Sequence, residues 1–228
     1  CPGNAANSLK DFSKGREIDV LAQHPDLIGV VDISFVVECK ASANPWVVFI
    51  SDNAFENYNR LFAFAVSSGA GRSALAKRAF TLSRELPFLE RPTRGGYSLR
   101  QAFGKDSDPA YGAAISALKA CHGIAQDRVG SKIPLLAFAF PVIVVDSPLF
   151  ECSRSPDGQL QLVEVDQSDF LFSAHIPEHI GCSIKVVTRL KMQDFAHSAK
   201  KLADALREEL KDEEENASTR NNEGDNGA

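Results

Sequence analysis

No stretch of this sequence holds the roughly 18 consecutive apolar residues that a membrane-spanning helix needs, so no membrane partner is expected. The five cysteines, Cys1, Cys39, Cys121, Cys152 and Cys182, are odd in number and nowhere spaced as Cys-x-x-Cys. That argues against a disulfide framework and against a zinc ribbon, and it suits a reducing, cytoplasmic setting. A repeat with a period of about 20 to 50 residues is also missing, which removes solenoids and propellers. The opening CPGNAANSLKDFSKGRE lacks the apolar stretch of a secretory signal and begins with Cys rather than Met, so upstream sequence is expected.

What is present is a chain of 228 residues, 44% hydrophobic, enough for one sizeable core with an extra lobe. The formal net charge of −5 is unevenly spread. Between residues 72 and 100 seven basic groups (Arg72, Lys77, Arg78, Arg84, Arg91, Arg94 and Arg100) face Glu85 and Glu90, whereas residues 207–228 hold eight acidic and three basic groups. Without that tail the chain is neutral, so overall acidity does not exclude a nucleic-acid partner.

Residues 16–24, REIDVLAQH, alternate charged and apolar side chains with period two, the pattern of a half-buried strand. PDLIGV makes a turn, and VDISFVVECKA, 31–41, reads as the returning strand. PWVVFIS (45–51) is a further short strand. The segment 53–107 reads as a helical insertion ending at Gly95-Gly96. DPAYGAAISALKACHGIAQD (108–127) is a helix with an Asp-Pro start and an apolar face of Tyr111, Ala114, Ile115, Leu118, Cys121 and Ala125. IPLLAFAFPVIVVDS (133–147) is apolar enough for a strand covered on both faces, with Pro141 expected to break it in two. Strands are expected at 159–165, 170–174 and 182–190, a helix at 191–212, and disorder in the polar run from Glu213 onward.

The charged groups inside the first two strands raise the functional question. Charge in a buried strand is costly unless it is paired or binds something. Residues two apart on a strand share a face, so Glu38 and Lys40 point the same way while Cys39 points into the opposite layer as a small core residue. Asp19, on the neighbouring antiparallel strand, can meet Glu38. Two converging carboxylates repel unless a cation or a proton sits between them. Oxygen ligands of this kind suit Mg²⁺ or Mn²⁺, and an adjacent lysine can hold a water or a transition-state charge. The competing reading is an exposed ion pair worth about 0–1 kcal/mol. The flanks IDVLA and FVVECK are too apolar for a freely solvated edge and favour a site.

The arrangement resembles the PD-(D/E)XK nuclease superfamily, whose signature is an acidic residue on one strand and D/E-x-K on the next. The match is Asp19 with Glu38-Cys39-Lys40. GREIDVLA followed by VVECKAS looks most like the branch related to type IV restriction and Holliday-junction-type nucleases, and the likeness is sharp over residues 15–42. It implies an α/β restriction-endonuclease-like domain over 1–206, a mixed sheet flanked by helices with the insertion at about 53–107, and then a helix end and disordered acidic tail at 207–228. The helix and strand that ordinarily precede the Asp-bearing strand would lie upstream of residue 1. Pro25-Asp26 belongs to the turn, which leaves Asp19 as the acidic partner.

The resemblance further implies Mg²⁺- or Mn²⁺-dependent hydrolysis of DNA, in defence or repair. Asp19, Glu38 and the Cys39 main-chain carbonyl would bind the metal, with Glu17 as an auxiliary ligand, and Lys40 would orient the nucleophilic water. Lys77, Arg78, Arg91 and Arg94 are the candidate phosphate contacts. A second copy of the chain and an additional upstream domain are further candidate partners. The alternative is a catalytically inactive nucleic-acid-binding or assembly module with the same fold. His175 and His179, in HIPEHIG, read as incidental loop residues because Pro177 lies between them; Asp146 and Glu151 read as marking a strand end and a turn.

Overall fold

The computed structural model of the chain describes residues 18–24, 29–52, 60–76, 78, 82, 86–89, 94–104, 108–126, 134–176 and 178–216. Ten strands join in one mixed sheet: β1 (Val20–Gln23), β2 (Val31–Lys40), β3 (Trp46–Asp52), β4 (Val66–Ser67), β5 (Arg94–Gln101), β6 (Leu136–Val145), β7 (Leu149–Arg154), β8 (Leu160–Val165), β9 (Gln167–Ile176) and β10 (Glu178–Thr188). The helices among the described residues are α1 (Arg60–Phe64), α2 (Gly69–Leu75), α3 (Pro109–Ile124) and α4 (Met192–Glu209). None of these helices is long and apolar enough to cross a membrane. The mixed α/β class expected from the sequence, a large sheet flanked by helices, is what the chain adopts.

The sheet is built on β6, LAFAFPVIVV, in which all ten residues are buried. β2 runs parallel to it in unbroken register from Val31↔Leu136 to Lys40↔Val145, and β10 runs parallel on its other side. Parallel strands covered on both faces need such apolar runs. Pro141 does not interrupt β6, contrary to the expected break. The outer edge of β6 instead changes partners around it, with β4 on Phe138 and Ala139 and β10 from Val142 to Val145, so the proline sits where one ladder ends and the next begins.

Two helices cover the two faces. Val31, Ile33, Phe35 and Val37 of β2 share a core with Phe195, Ala199, Leu202 and Leu206 of α4, and Phe35 stacks on Phe140 at 5.1 Å between ring centroids. On the other face Val36 packs in a cluster with Ile115, Leu118 and Cys121 of α3. Asp108 starts α3 by accepting a hydrogen bond from the Tyr111 N–H at 3.0 Å, with Pro109 in the first turn.

The order of strands, β1-β2-β6-β10-β9-β5-β3-β7-β8, forces the sheet to curl. β6 and β7 stand five positions apart, which in a flat sheet is about 24 Å. Only residues 146–148 join them, and the four Cα steps from Val145 to Leu149 span at most about 15 Å. The parallel pair β2/β6 must therefore bend into the parallel pair β3/β7. The Trp46 N–H donates to the Pro148 carbonyl at 2.9 Å across this corner. The concave side encloses Trp46, Val48, Leu99, Ile143, Val145, Phe170, Ile184 and Val186, closed by Ala110, Ala113 and Ala114 of α3.

Several expectations for the connecting segments need correction. The segment 53–107, expected as a helical insertion, is only partly helical where it is described: Leu61, Phe64, Leu75, Phe88 and Leu89 belong to the α4-side core, and Arg94–Gln101 form β5, paired antiparallel with β3. β9 and β10 pair in a ladder in which His179 is the Cα partner of His175, so these two residues stand in paired strands and not in a loop. Glu151 lies inside β7, where it accepts a hydrogen bond from the Ser168 hydroxyl at 2.6 Å. Residues 213–216 are helical, with Glu214 buried and ion-paired to Arg207, although their composition predicts disorder; residues 217–228 lie outside the described residues.

Gly96 is where β5 touches β9, through the single pair Gly96↔Phe170. A Cβ there would stand 2.2 Å from the Asp169 carbonyl oxygen and 2.6 Å from Val48 Cγ1. Gly96→Ala is accordingly expected to destabilise the protein by roughly 1–3 kcal/mol or more, read as a lowered denaturant midpoint, because backbone cannot move aside as a side chain can. An unchanged midpoint would mean that β5 and β9 are not in contact.

Candidate active site

The carboxyl ends of the parallel strands β2 and β6 meet at the corner of the sheet. Glu38 and Lys40 are the last even-numbered residues of β2, and their register partners Ile143 and Val145 belong to the concave core. Both side chains therefore open on the concave side. Glu38 is 8% exposed, and the Lys40 ammonium lies 2.7 Å from its Oε1. Asp19 stands just ahead of β1, whose Val20 pairs with Val37. Its Oδ2 accepts the Cys39 N–H at 2.7 Å, extending the hairpin ladder with a side chain.

The structure thus brings Asp19, Glu38, Cys39 and Lys40 to one end of the sheet, with Glu38 held by Lys40 and Asp19 held by the main chain of β2. Cys39 is exposed, which corrects the expectation that it fills the core. The apolar layer on its face of β2 ends at Val37, so Cys39 stands at the rim of that core cluster beside Val144 of β6. Partial burial, and then the Asp19 and Glu38 carboxylates, push its thiol above the ordinary range, while Lys40 opposes them. Glu17 lies outside the described residues.

Two residues join this corner without having been singled out from the sequence as parts of the site. Asp146, directly after β6, accepts the Ser42 N–H at 2.9 Å, and the Gln101 side-chain amide of β5 donates to the Ser42 hydroxyl. The parallel register explains Asp146: Lys40 pairs with Val145, so the next residue of β6 falls beside the start of the 41–45 connection. Among the described residues no group of three or more His, Cys, Asp or Glu side chains stands within reach of one metal ion. α3 begins on this side of the sheet, since Ala110, Ala113 and Ala114 share a cluster with Ile143 and Val145, and Cys121 and Ala125 share one with Leu135 and Ala137. The positive end of its dipole is turned toward the same region.

The expected phosphate contacts are not a free basic face where they are described. Arg78 donates to the carbonyl and the carboxylate of Glu209, at 2.7 and 3.0 Å, fastening the α2 side to the end of α4. Arg94 pairs with Asp52 at 2.9 Å and also donates to the Arg154 carbonyl, linking three neighbouring strands. Lys77 and Arg91 lie outside the described residues. A charged pair of another kind was missed. Lys185 of β10 and Asp169 of β9 meet at 3.0 Å, their side chains 12% and 11% exposed, and the ammonium lies 4.6 and 4.8 Å from the ring centroids of Phe64 and Phe88. Those rings belong to the α4-side core, so this pair is on the opposite face from Glu38 and Lys40.

Compared with models of known protein families, with curated proteins and with solved structures, the chain matches none.

Proposed function

We propose that the chain is a metal-dependent nuclease of the PD-(D/E)XK type, with a restriction-endonuclease-like sheet, that hydrolyses DNA phosphodiester bonds at the Asp19–Glu38–Lys40 corner. The observation that supports this reading is the nearly buried Glu38 carboxylate, held by an ammonium and adjoined by Asp19, at the carboxyl ends of parallel strands. Desolvating such a pair costs more than a well-packed apolar pair would, so it is poorly accounted for as a stabilising device. Open α/β sheets place ligands beyond those strand ends.

Mg²⁺ is ordinarily held by one or two carboxylates, with water and substrate phosphate completing its shell, so Asp19 and Glu38 fit it as hard oxygen donors. Mn²⁺ takes the same set. When bound, the ion supplies Lewis acidity toward the phosphate and a water of lowered pKa. Asp19 and Glu38 would hold it, the Cys39 carbonyl would add a neutral donor, and Glu17 is the auxiliary carboxylate that the sequence offers. Lys40 orients the attacking water and offsets negative charge that grows on the phosphate oxygens. Water adds to phosphorus, one ester P–O bond breaks, and the departing alkoxide takes up a proton.

Calorimetric titration with Mn²⁺ or Ca²⁺ tests the site without needing turnover. Wild-type protein is expected to bind, and Asp19→Ala and Glu38→Ala to lose most of the heat. Equal binding by all three proteins would remove these residues from any metal site. The second reading, a catalytically inactive nucleic-acid-binding or assembly module, is favoured by one observation: Lys40 already satisfies Glu38, and the Cys39 N–H already engages Asp19. It predicts no metal heat in wild type and a loss of stability in Glu38→Ala, which strands Lys40.

A further inference from the structure

β5 and β9 pair only at Gly96↔Phe170. A cavity of about 190 Å³ opens beside that contact, lined by Tyr97, Leu99 and Arg100 of β5, Phe170 and Phe172 of β9, and Tyr111 from the first turn of α3. Tyr97 and Tyr111 come from different elements, yet both line this one hollow and are 57% and 55% exposed. Tyr111 is thereby corrected from the core residue that its helical stripe suggests. Its ring meets Phe172 edge-on at 5.7 Å, and Phe172 meets Phe170 edge-on at 6.3 Å.

We infer that this cavity receives an unpaired nucleobase of the nucleic acid cut at the Asp19–Glu38–Lys40 corner, an inference that rests on the proposed nuclease reading. Three features select that occupant. The walls are aromatic rings set at angles to one another, which suits a flat ring entering among them, and base–aromatic stacking tolerates any base. The mouth carries the Arg100 guanidinium and the Asp108 carboxylate, paired with each other beside the N-terminal turn of α3, so donors and acceptors for the polar edge of a base stand together there. The cavity also lies on the same concave face as the corner: Ala110 and Ala114 of α3 line it and share a core cluster with Ile143 and Val145, the register partners of Glu38 and Lys40.

From Gln101 back to Tyr97 is about 13 Å of strand, so the base lies close to the scissile phosphate but outside the site. A base inside a duplex is stacked and paired and cannot enter such a hollow. The substrate is then single-stranded or branched nucleic acid, or duplex with a base turned out.

The test uses a single-stranded DNA oligonucleotide carrying 2-aminopurine at successive positions, with Ca²⁺ in place of Mg²⁺. Wild-type protein should change the probe's fluorescence sharply at one or two positions, and Tyr111→Ala and Tyr97→Ala should weaken binding roughly 10-fold or more. Tyr111→Phe, which keeps the ring, should bind as wild type does, and circular dichroism should show all variants folded. Fully paired duplex should bind wild type and Tyr111→Ala alike. If the oligonucleotide binds all proteins equally with no position-dependent signal, the cavity proposal is overturned and the nuclease reading stands. If the signal and its tyrosine dependence appear but no DNA is cut with Mg²⁺, the cavity stands as a base-binding site and the nuclease reading falls. If wild type binds no nucleic acid, both fall.

Discussion

Replacing Asp169 with alanine is expected to lower stability by about 3–5 kcal/mol, the largest single-residue loss anticipated for this protein outside the aromatic core. The substitution leaves the Lys185 ammonium between the Phe64 and Phe88 rings with its carboxylate partner gone. Those rings attract the cation, but cation–π contact contributes only about 0.5–2 kcal/mol and does not replace the lost charge. Removing both charges is a different experiment. Lys185→Met with Asp169→Leu should be nearly neutral or stabilising, because the desolvation of two ions disappears along with their attraction. Chemical denaturation of the two single variants and the double variant gives the coupling directly. Equal losses that simply add would show that the two residues are not paired.

The signal for that ion pair was present in the sequence and has the same form as the one that revealed Asp19 and Glu38. SDF and SIKVV each set a charged residue inside an apolar alternation, but they lie on strands whose pairing no local pattern specifies. The β1–β2 hairpin, β6, α3 and α4 were all legible because their periodicity matches the face they bury: Val31, Ile33, Phe35 and Val37 on one side of β2, Leu202 and Leu206 along α4. β5 was not legible, since Gly95-Gly96 punctuates a chain when read locally. Its glycine is required by the approach of β9, a contact between segments more than seventy residues apart. β7 was hidden by the turn residues Asp146 and Pro148, which in this fold bend a parallel ribbon instead of ending a sheet.

The site was legible in part, and for a physical reason. Asp19, Glu38 and Lys40 lie on one hairpin, so strand alternation alone orients them. Cys39 obeys the same alternation, yet it is exposed because the core beneath its face runs out before the strand does. Asp146 and Gln101 reach the corner only through the curl of the sheet. Arg78 and Arg94 stand in a basic stretch of sequence, but each is claimed by a carboxylate on another element. Local charge density does not reveal such pairing. Tyr111 shares its helical stripe with Ala114 and Leu118, and only the splay of β5 from β9 leaves it over a cavity.

The second large effect concerns Lys40. Lys40→Ala should leave metal affinity nearly intact, because the ligands are carboxylates and a carbonyl, while slowing DNA cleavage by about 10²–10³-fold. The reason for this separation is that Lys40 acts on the attacking water and on charge that develops only in the transition state, so its loss appears in rate and not in ground-state binding. A lysine serving only to neutralise Glu38 would behave otherwise: its removal would lower stability or alter metal affinity, and any change in rate would follow those.

Cleavage with Mg²⁺ or Mn²⁺ under single-turnover conditions, followed on single-stranded, branched and duplex DNA for wild type, Glu38→Ala and Lys40→Ala, tests the central claim most directly. The account predicts that wild type cuts at least one of these substrates, that Glu38→Ala loses both cutting and metal binding, and that Lys40→Ala binds metal but cuts slowly. Wild-type protein that cuts none of them, or a Glu38→Ala variant that cuts as fast as wild type, would contradict it.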